Sequence, residues 1–187
     1  EILKGDRSRH VTIKTDDDDT AGVPFTDEEL KQIWENRDDP TLEMVFIMCL
    51  SGFRIQAYTN ISVNLQDRYF QGGIKTKSGT GRIVPIHSMI YDMVQRRMQR
   101  ENGMMEMSTQ HFRKLMYASL ERIGVEKHTP HDCRHTFSML CEKYEVKEND
   151  RKRMMGHSFK ADITNKVYGH RDIEDLRKEL EKIIIDL

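Results

Sequence analysis

The chain is expected to fold as an α+β domain, mostly helical, with one small antiparallel β-sheet. Three observations predict this. Apolar residues recur at helical spacing on both sides of a short middle stretch, residues 61–87. Within that stretch β-formers take over: Ile61, Val63, Leu65, Tyr69, Phe70 and Ile74, then a polar turn from Lys75 to Gly81, then Arg82-Ile83-Val84-Pro85-Ile86. The length of 187 residues fits one or two domains and allows a core of ordinary size, and no repeat of fixed period divides it.

Residues 1–24 are polar and include the run Asp16-Asp17-Asp18-Asp19, which does not bury; they are expected to be a linker or loosely held arm. The domain then covers 25–187. Thr26-Asp27-Glu28-Glu29 matches a capping box, Thr26 as N-cap and Glu29 at its third helical position, and opens a helix through Trp34. Pro40 suits the first turn of a second helix, apolar to Leu50 and stopped near Gly52. After the strands, helices are expected over 88–100, 108–123, 130–144, 148–155, a short piece near 162–168, and 172–185. In the last, Ile173, Leu176, Leu180, Ile183 and Ile184 form one apolar stripe, which packs either on its own domain or on a neighbouring protomer.

Composition excludes several classes. The three cysteines, Cys49, Cys133 and Cys141, are odd in number and lack CxxC spacing, so neither a disulfide framework nor a cysteine-rich zinc site is expected. Free thiols point to a reducing, cytoplasmic setting. The run Ile183-Ile184-Ile185 is far too short to cross a bilayer, and no charged-then-apolar leader follows Glu1, so no membrane partner is expected. With 30 Lys+Arg against 31 Asp+Glu, the net charge of −1 at first argues against nucleic acid.

The most informative segment is Thr129-Pro130-His131-Asp132-Cys133-Arg134-His135-Thr136-Phe137. Thr129 and Pro130 are helix-start signals, so His131 and Arg134 lie three apart on one face. Two cations are a poor structural pair, yet aimed at one anion they cooperate: arginine forks onto phosphate oxygens while histidine exchanges a proton. The plain alternative is a capping histidine and a solvated arginine. His131, Asp132 and His135 also imitate HExxH, but aspartate is a methylene short and no third ligand follows, so no metal is assigned. Ser51-Gly52-Phe53-Arg54 places an arginine just after a buried helix and a glycine break. Met155-Gly156-His157-Ser158 can equally be read as a helix end, and Tyr168 in Tyr168-Gly169-His170 as a core aromatic.

Taken in order, these words resemble the catalytic domain of the tyrosine recombinases, the phage integrase family, over about residues 25–170. Ser51-Gly52-Phe53-Arg54 is similar to the family's T-G-L-R. Lys75-Thr76-Lys77 with Arg82-Ile83-Val84-Pro85 is similar to its K-T-x…R-x-V-P hairpin. His131 to Phe137 resembles H-D-L-R-H-T-F, Met155 to Ser158 resembles L-G-H-S, and Tyr168-Gly169-His170 resembles Y-T-H.

The resemblance implies the recombinase (DNA breaking-rejoining) fold and site-specific integration or excision of a mobile element through a 3′-phosphotyrosyl intermediate. Tyr168 would be the nucleophile. Arg54 and Arg134 would clamp the non-bridging oxygens, His157 would donate to the same phosphate, His131 would accept the tyrosine proton, and Lys75 would protonate the leaving 5′-oxygen. Lys77, two residues on, is the alternative acid. No cofactor is implied, and double-stranded DNA is the partner, engaged as a tetramer by full-length members. A nicking-closing topoisomerase-like activity and a catalytically weakened accessory protein are the rival outcomes. Two departures stand out: Ala57 occupies the place of a supporting glutamate, and the spacing from His157 to Tyr168 is slightly long. Residues 1–24 could not form the family's additional N-terminal domain, so the chain is expected to be the catalytic domain with its linker.

Split by segment, the charge reads differently. Residues 1–24 and 171–187 each carry net −2, leaving +3 for residues 25–170. Lys77, Arg82, Arg113 and Lys114 are the expected phosphate contacts in that basic middle, and Arg151, Lys152 and Arg153 are read as a solvated helix face.

Overall fold

The computed structural model describes residues 22–73, 81–101, 103–157 and 172–187. Its first helices, α1 (Asp27–Glu35) and α2 (Pro40–Cys49), start where the capping signals place them. At α1 the amide of Glu29 donates to the Thr26 hydroxyl at 3.2 Å, and the Thr26 amide donates to the Glu29 carboxylate at 2.8 Å. At α2 the Asp39 carboxylate accepts from the Thr41 amide at 2.7 Å, ahead of Pro40.

Helix α2 is buried on every side from Leu42 to Cys49, all apolar but for Glu43, and accordingly sits in the middle of the core. Helices α1, α3 (Ser88–Arg100), α4 (Thr109–Arg122) and α5 (Pro130–Lys143) pack around it. Each fully buried Leu, Ile, Phe or Met contributes about 1.5–3 kcal/mol, so this one helix anchors the assembly. Glu43 is the single charged residue it buries, and three basic groups of α3 answer it: Arg96 at 3.1 Å, Arg97 at 3.6 Å and Arg100 at 2.5 Å. Arg97 is itself buried and also donates to the carbonyls of Met104 and Pro40, at 2.6 and 2.9 Å.

A 3-10 turn (Ile55–Thr59) leads into β1 (Ser62–Asn64), β2 (Tyr69–Gln71) and β3 (Ile83–Pro85), an antiparallel sheet in the order β1-β2-β3. Val63, Phe70 and Val84 lie opposite one another, and Phe70 and Val84 are buried on the face that meets Phe53. Beyond the strands, the Gly72 amide still donates to the Arg82 carbonyl at 3.0 Å.

Helix α6 (Glu148–Met155) follows α5, and α7 (Ile173–Leu180) packs on β3. The tail therefore packs on its own domain, with Leu176, Leu180, Ile183 and Ile185 buried. Two expectations are corrected here. The helix stops at Leu180 instead of 185, and Ile184, counted in the apolar stripe, is 71% exposed and does not pack with it. Past Leu180 the chain makes a turn at Glu181 and Lys182 and is then held by side-chain bonds. Glu181 accepts from the Ser88 amide and hydroxyl at 2.7 and 2.6 Å, and the Ile183 carbonyl meets Nε2 of buried His87 at 3.0 Å. Beyond that turn Ile183 and Ile185 are buried and Ile184 faces outward. The expected helix near 162–168 lies outside the described residues.

Residues 22–25 are stitched to the start of α5. The Val23 amide donates to Asp132 Oδ1 at 2.9 Å, its carbonyl meets His128 Nδ1 at 3.1 Å, and the Phe25 amide donates to the Thr136 hydroxyl at 2.9 Å. The Phe25 ring stacks on His128 at 3.9 Å. Residues 22–24, grouped by composition with the arm, are thus held to the domain, while Asp16 to Asp19 lie outside the described residues. Among the described residues no helix is long and apolar enough to cross a membrane, and all three cysteines are free and buried.

Candidate active site

Two glycines shape the site. Gly52 ends α2 with φ +66°, a left-handed conformation, and a Cβ there would lie 2.4 Å from the Phe137 ring. The turn it makes delivers Arg54 to the head of the 3-10 turn. Its neighbours hold it: the Ser51 hydroxyl donates to the Ile47 carbonyl at 2.6 Å and pairs with the Tyr58 hydroxyl at 2.7 Å. The Phe53 ring lies edge-on to Tyr58 and Phe70. Gly156 closes α6 the same way, with φ +71°, and a Cβ there would fall 2.2 Å from an Arg82 nitrogen.

Between these two turns lies Arg134, 4% exposed on α5. One guanidinium nitrogen donates to the Gly52 carbonyl at 2.5 Å, and the other to the Met155 carbonyl at 2.9 Å. The second also meets His157 Nε2 at 3.1 Å. Arginine is only a donor, so His157 accepts through Nε2 and carries its proton on Nδ1. The start of α5 is fixed by Asp132, whose carboxylate accepts from the Thr129 amide and hydroxyl at 2.6 and 3.0 Å as well as from Val23. His131, partly buried, packs edge-on against the His135 ring with centroids 4.4 Å apart. Asp132 is therefore committed to the helix start, and among the described residues no group of three acidic, histidine or cysteine side chains is placed for a metal.

Arg82 enters from β3. Its guanidinium lies over the Phe53 ring at 4.1 Å and donates to the Met155 carbonyl at 2.8 Å, the oxygen that Arg134 also uses. Its Nε has no hydrogen-bond partner among the described residues. Burial, then the charges of Arg134 and Arg54, push Arg82 down to about 9, with the Tyr58 hydroxyl opposing. His157 is held below its usual value by partial burial and then by Arg134, Arg54, Arg151 and Arg82. Four arginines thus impose a positive potential on one imidazole, an arrangement suited to an anion.

The structure brings together Arg54, Arg134 and His157, with His131 on the first turn of the same α5. Lys75, Lys77 and Tyr168 lie outside the described residues. Arg113 and Lys114 are on α4, which joins the core through α2. Arg151 pairs with Glu142, Lys152 with Glu148 at 2.5 Å, and Arg153 lies 3.9 Å from Asp150, so the basic face of α6 is charge-balanced. Sequence spacing offers Asp132 only within an imitation of HExxH, gives Tyr58 and Thr136 no role, and marks Arg82 only as a hairpin arginine expected to contact phosphate. The Thr-x-x-Asp spacing at 129–132 was the available signal for the first.

The family model for the phage integrase family matches residues 24–175. The fold is similar to that of the integrase from mycobacterium phage Brujita, with a TM-score of 0.68, 14% identity, and 88% of this chain and 59% of that one covered. It is also similar to a XerA recombinase, with a TM-score of 0.61, 18% identity, and 86% and 63% covered. The chain therefore spans about three fifths of the length of either structure. A search of curated proteins finds no match.

Proposed function

The chain belongs to the phage integrase family of tyrosine recombinases, and from that premise we propose that it cuts and rejoins double-stranded DNA in site-specific strand exchange, serving a mobile element. The observation that carries this reading is the fixed guanidinium of Arg134, held between the carbonyls of Gly52 and Met155 and paired with His157.

Tyr168 attacks the scissile phosphorus through its oxygen, forming a 3′-phosphotyrosyl ester as the bond to the 5′-oxygen breaks. His131 takes the phenolic proton, and Lys75, or Lys77 beside it, returns a proton to the departing 5′-hydroxyl. Arg54 and Arg134 stabilise the charge that grows on the non-bridging oxygens. Because the ester keeps the bond energy, a 5′-hydroxyl from another strand reverses the step, and the chemistry consumes no nucleotide. His157, protonated on Nδ1, donates from that nitrogen, and an arriving phosphate offsets the cations that now disfavour its charged form. Lys77, Arg113 and Lys114 contact the flanking backbone, and self-association on DNA in a cytoplasmic setting completes the proposal.

The test is a duplex nicked close to a scissile step with randomised flanks, so that the cut end diffuses away. A covalent protein–DNA band on a denaturing gel that vanishes in Tyr168→Phe supports the reading. A band that survives in that variant places the nucleophile elsewhere.

A further inference from the structure

We infer that Arg82 is a positioning residue for strand cleavage: it sets the Met155–His157 turn, and through it Arg134 and His157, without itself holding DNA. The inference rests on the function proposed above. The Met155 carbonyl accepts from Arg82 at 2.8 Å and from Arg134 at 2.9 Å, so one oxygen fixes both guanidinium groups. The other face of Arg82 is used up by the Phe53 ring at 4.1 Å, in the turn that also presents Arg54. Gly156 leaves the room: any side chain there would strike the Arg82 guanidinium. The main chain of Arg82 is pinned as well, since its carbonyl accepts from Gly72 at 3.0 Å.

Arg82 thus joins three pieces that are distant in sequence: the strand after the polar turn, the Phe53–Arg54 turn and the end of α6. Moving it would shift His157 and the Arg134 fork together, and misplacement of a catalytic constellation by about 1 Å is worth on the order of 100-fold in rate. Its spare Nε makes direct phosphate contact the competing role.

Two variants separate the roles. Arg82→Lys keeps a charge over the ring and loses the fork; Arg82→Gln keeps a donor and loses the charge. In the first arm, without DNA, amide exchange is followed by NMR at Gly156 and His157, whose N–H groups donate to Arg153 and Lys152. Exchange at these two sites at least about tenfold faster in Arg82→Gln, with α2 amides unchanged, is the expected result. Unchanged exchange there overturns the inference. In the second arm, single-turnover covalent capture uses the nicked duplex. The cleavage rate at saturating DNA should fall by about 10–100-fold in Arg82→Gln and less in Arg82→Lys, while Kd and its salt slope stay put. A weaker Kd with a salt slope smaller by about one and an unchanged saturating rate would make Arg82 a phosphate contact. A lower melting temperature with rate and local exchange unchanged would make it a stabiliser only. Wild-type protein that forms no covalent band defeats the proposed function, and the exchange arm still decides Arg82.

Discussion

Arg134 and Met155 meet at 2.9 Å although 21 positions separate them, and the acceptor is the last carbonyl of α6, just ahead of the Gly156 turn. The same guanidinium reaches the Gly52 carbonyl at the end of α2. One side chain therefore ties both glycine turns to α5.

Replacing it with lysine should abolish most of the chemistry. A compact ammonium cannot span the Gly52 and Met155 carbonyls and still present a fork to phosphate. Arg134→Lys should slow covalent capture by at least about 100-fold, as loss of a preorganised donor does elsewhere. An orphaned buried carbonyl should also cost about 1–3 kcal/mol in urea unfolding. Capture at the wild-type rate would remove Arg134 from the site.

The two glycines should fail differently. Gly52→Ala adds left-handed strain of about 1–2 kcal/mol and drives a methyl into the Phe137 ring, which the core holds in place. Gly156→Ala carries the same strain, but its obstacle is the far end of Arg82, which can swing away. Urea unfolding should therefore show the larger loss for Gly52→Ala. In Gly156→Ala, capture at saturating DNA should drop further than stability explains. Equal stability losses would mean that the Phe137 ring yields as readily as Arg82.

Acid should loosen the tail. Buried His87 accepts from the Met89 amide through Nδ1 at 3.1 Å, leaving Nε2 to donate to the Ile183 carbonyl at 3.0 Å. Both bonds suit the neutral ring. Burial lowers its pKa from 6.5, opposed by the Glu181 carboxylate and the Ile183 bond. With the folded value below the unfolded one, this contribution is complete above about pH 6.5 and is lost as pH falls through the folded value. Stability measured from pH 7.5 to pH 5 should decline in wild type and decline less steeply in His87→Gln, which cannot take up the proton. Parallel curves would exclude His87 as the source.

Much of this was legible because short words carry strict local demands. Thr26 and Glu29 form a capping box at that spacing, and a helix as apolar as Met44 to Leu50 can only be central. Ser51 to Arg54 and His131 to Arg134 point to a pair of arginines from their spacing alone. The tail departs from its spacing for an equally physical reason. Periodicity continues past Leu180 in the sequence, but His87 and Ser88, about 95 positions earlier, bind the chain there, where the helix has ended. Arg82 was similarly opaque. Its place in a basic hairpin suggests solvent and phosphate, and only the meeting of Phe53 and Met155 explains why it turns inward. Long-range acceptors of this kind leave no trace in local spacing.

The stitching of residues 22–25 to α5 has a mechanical side. Three backbone groups are tied to His128, Asp132 and Thr136, on both sides of His131 and Arg134. A pull on the chain at Gly22 would therefore bear directly on the helix that carries His131 and Arg134.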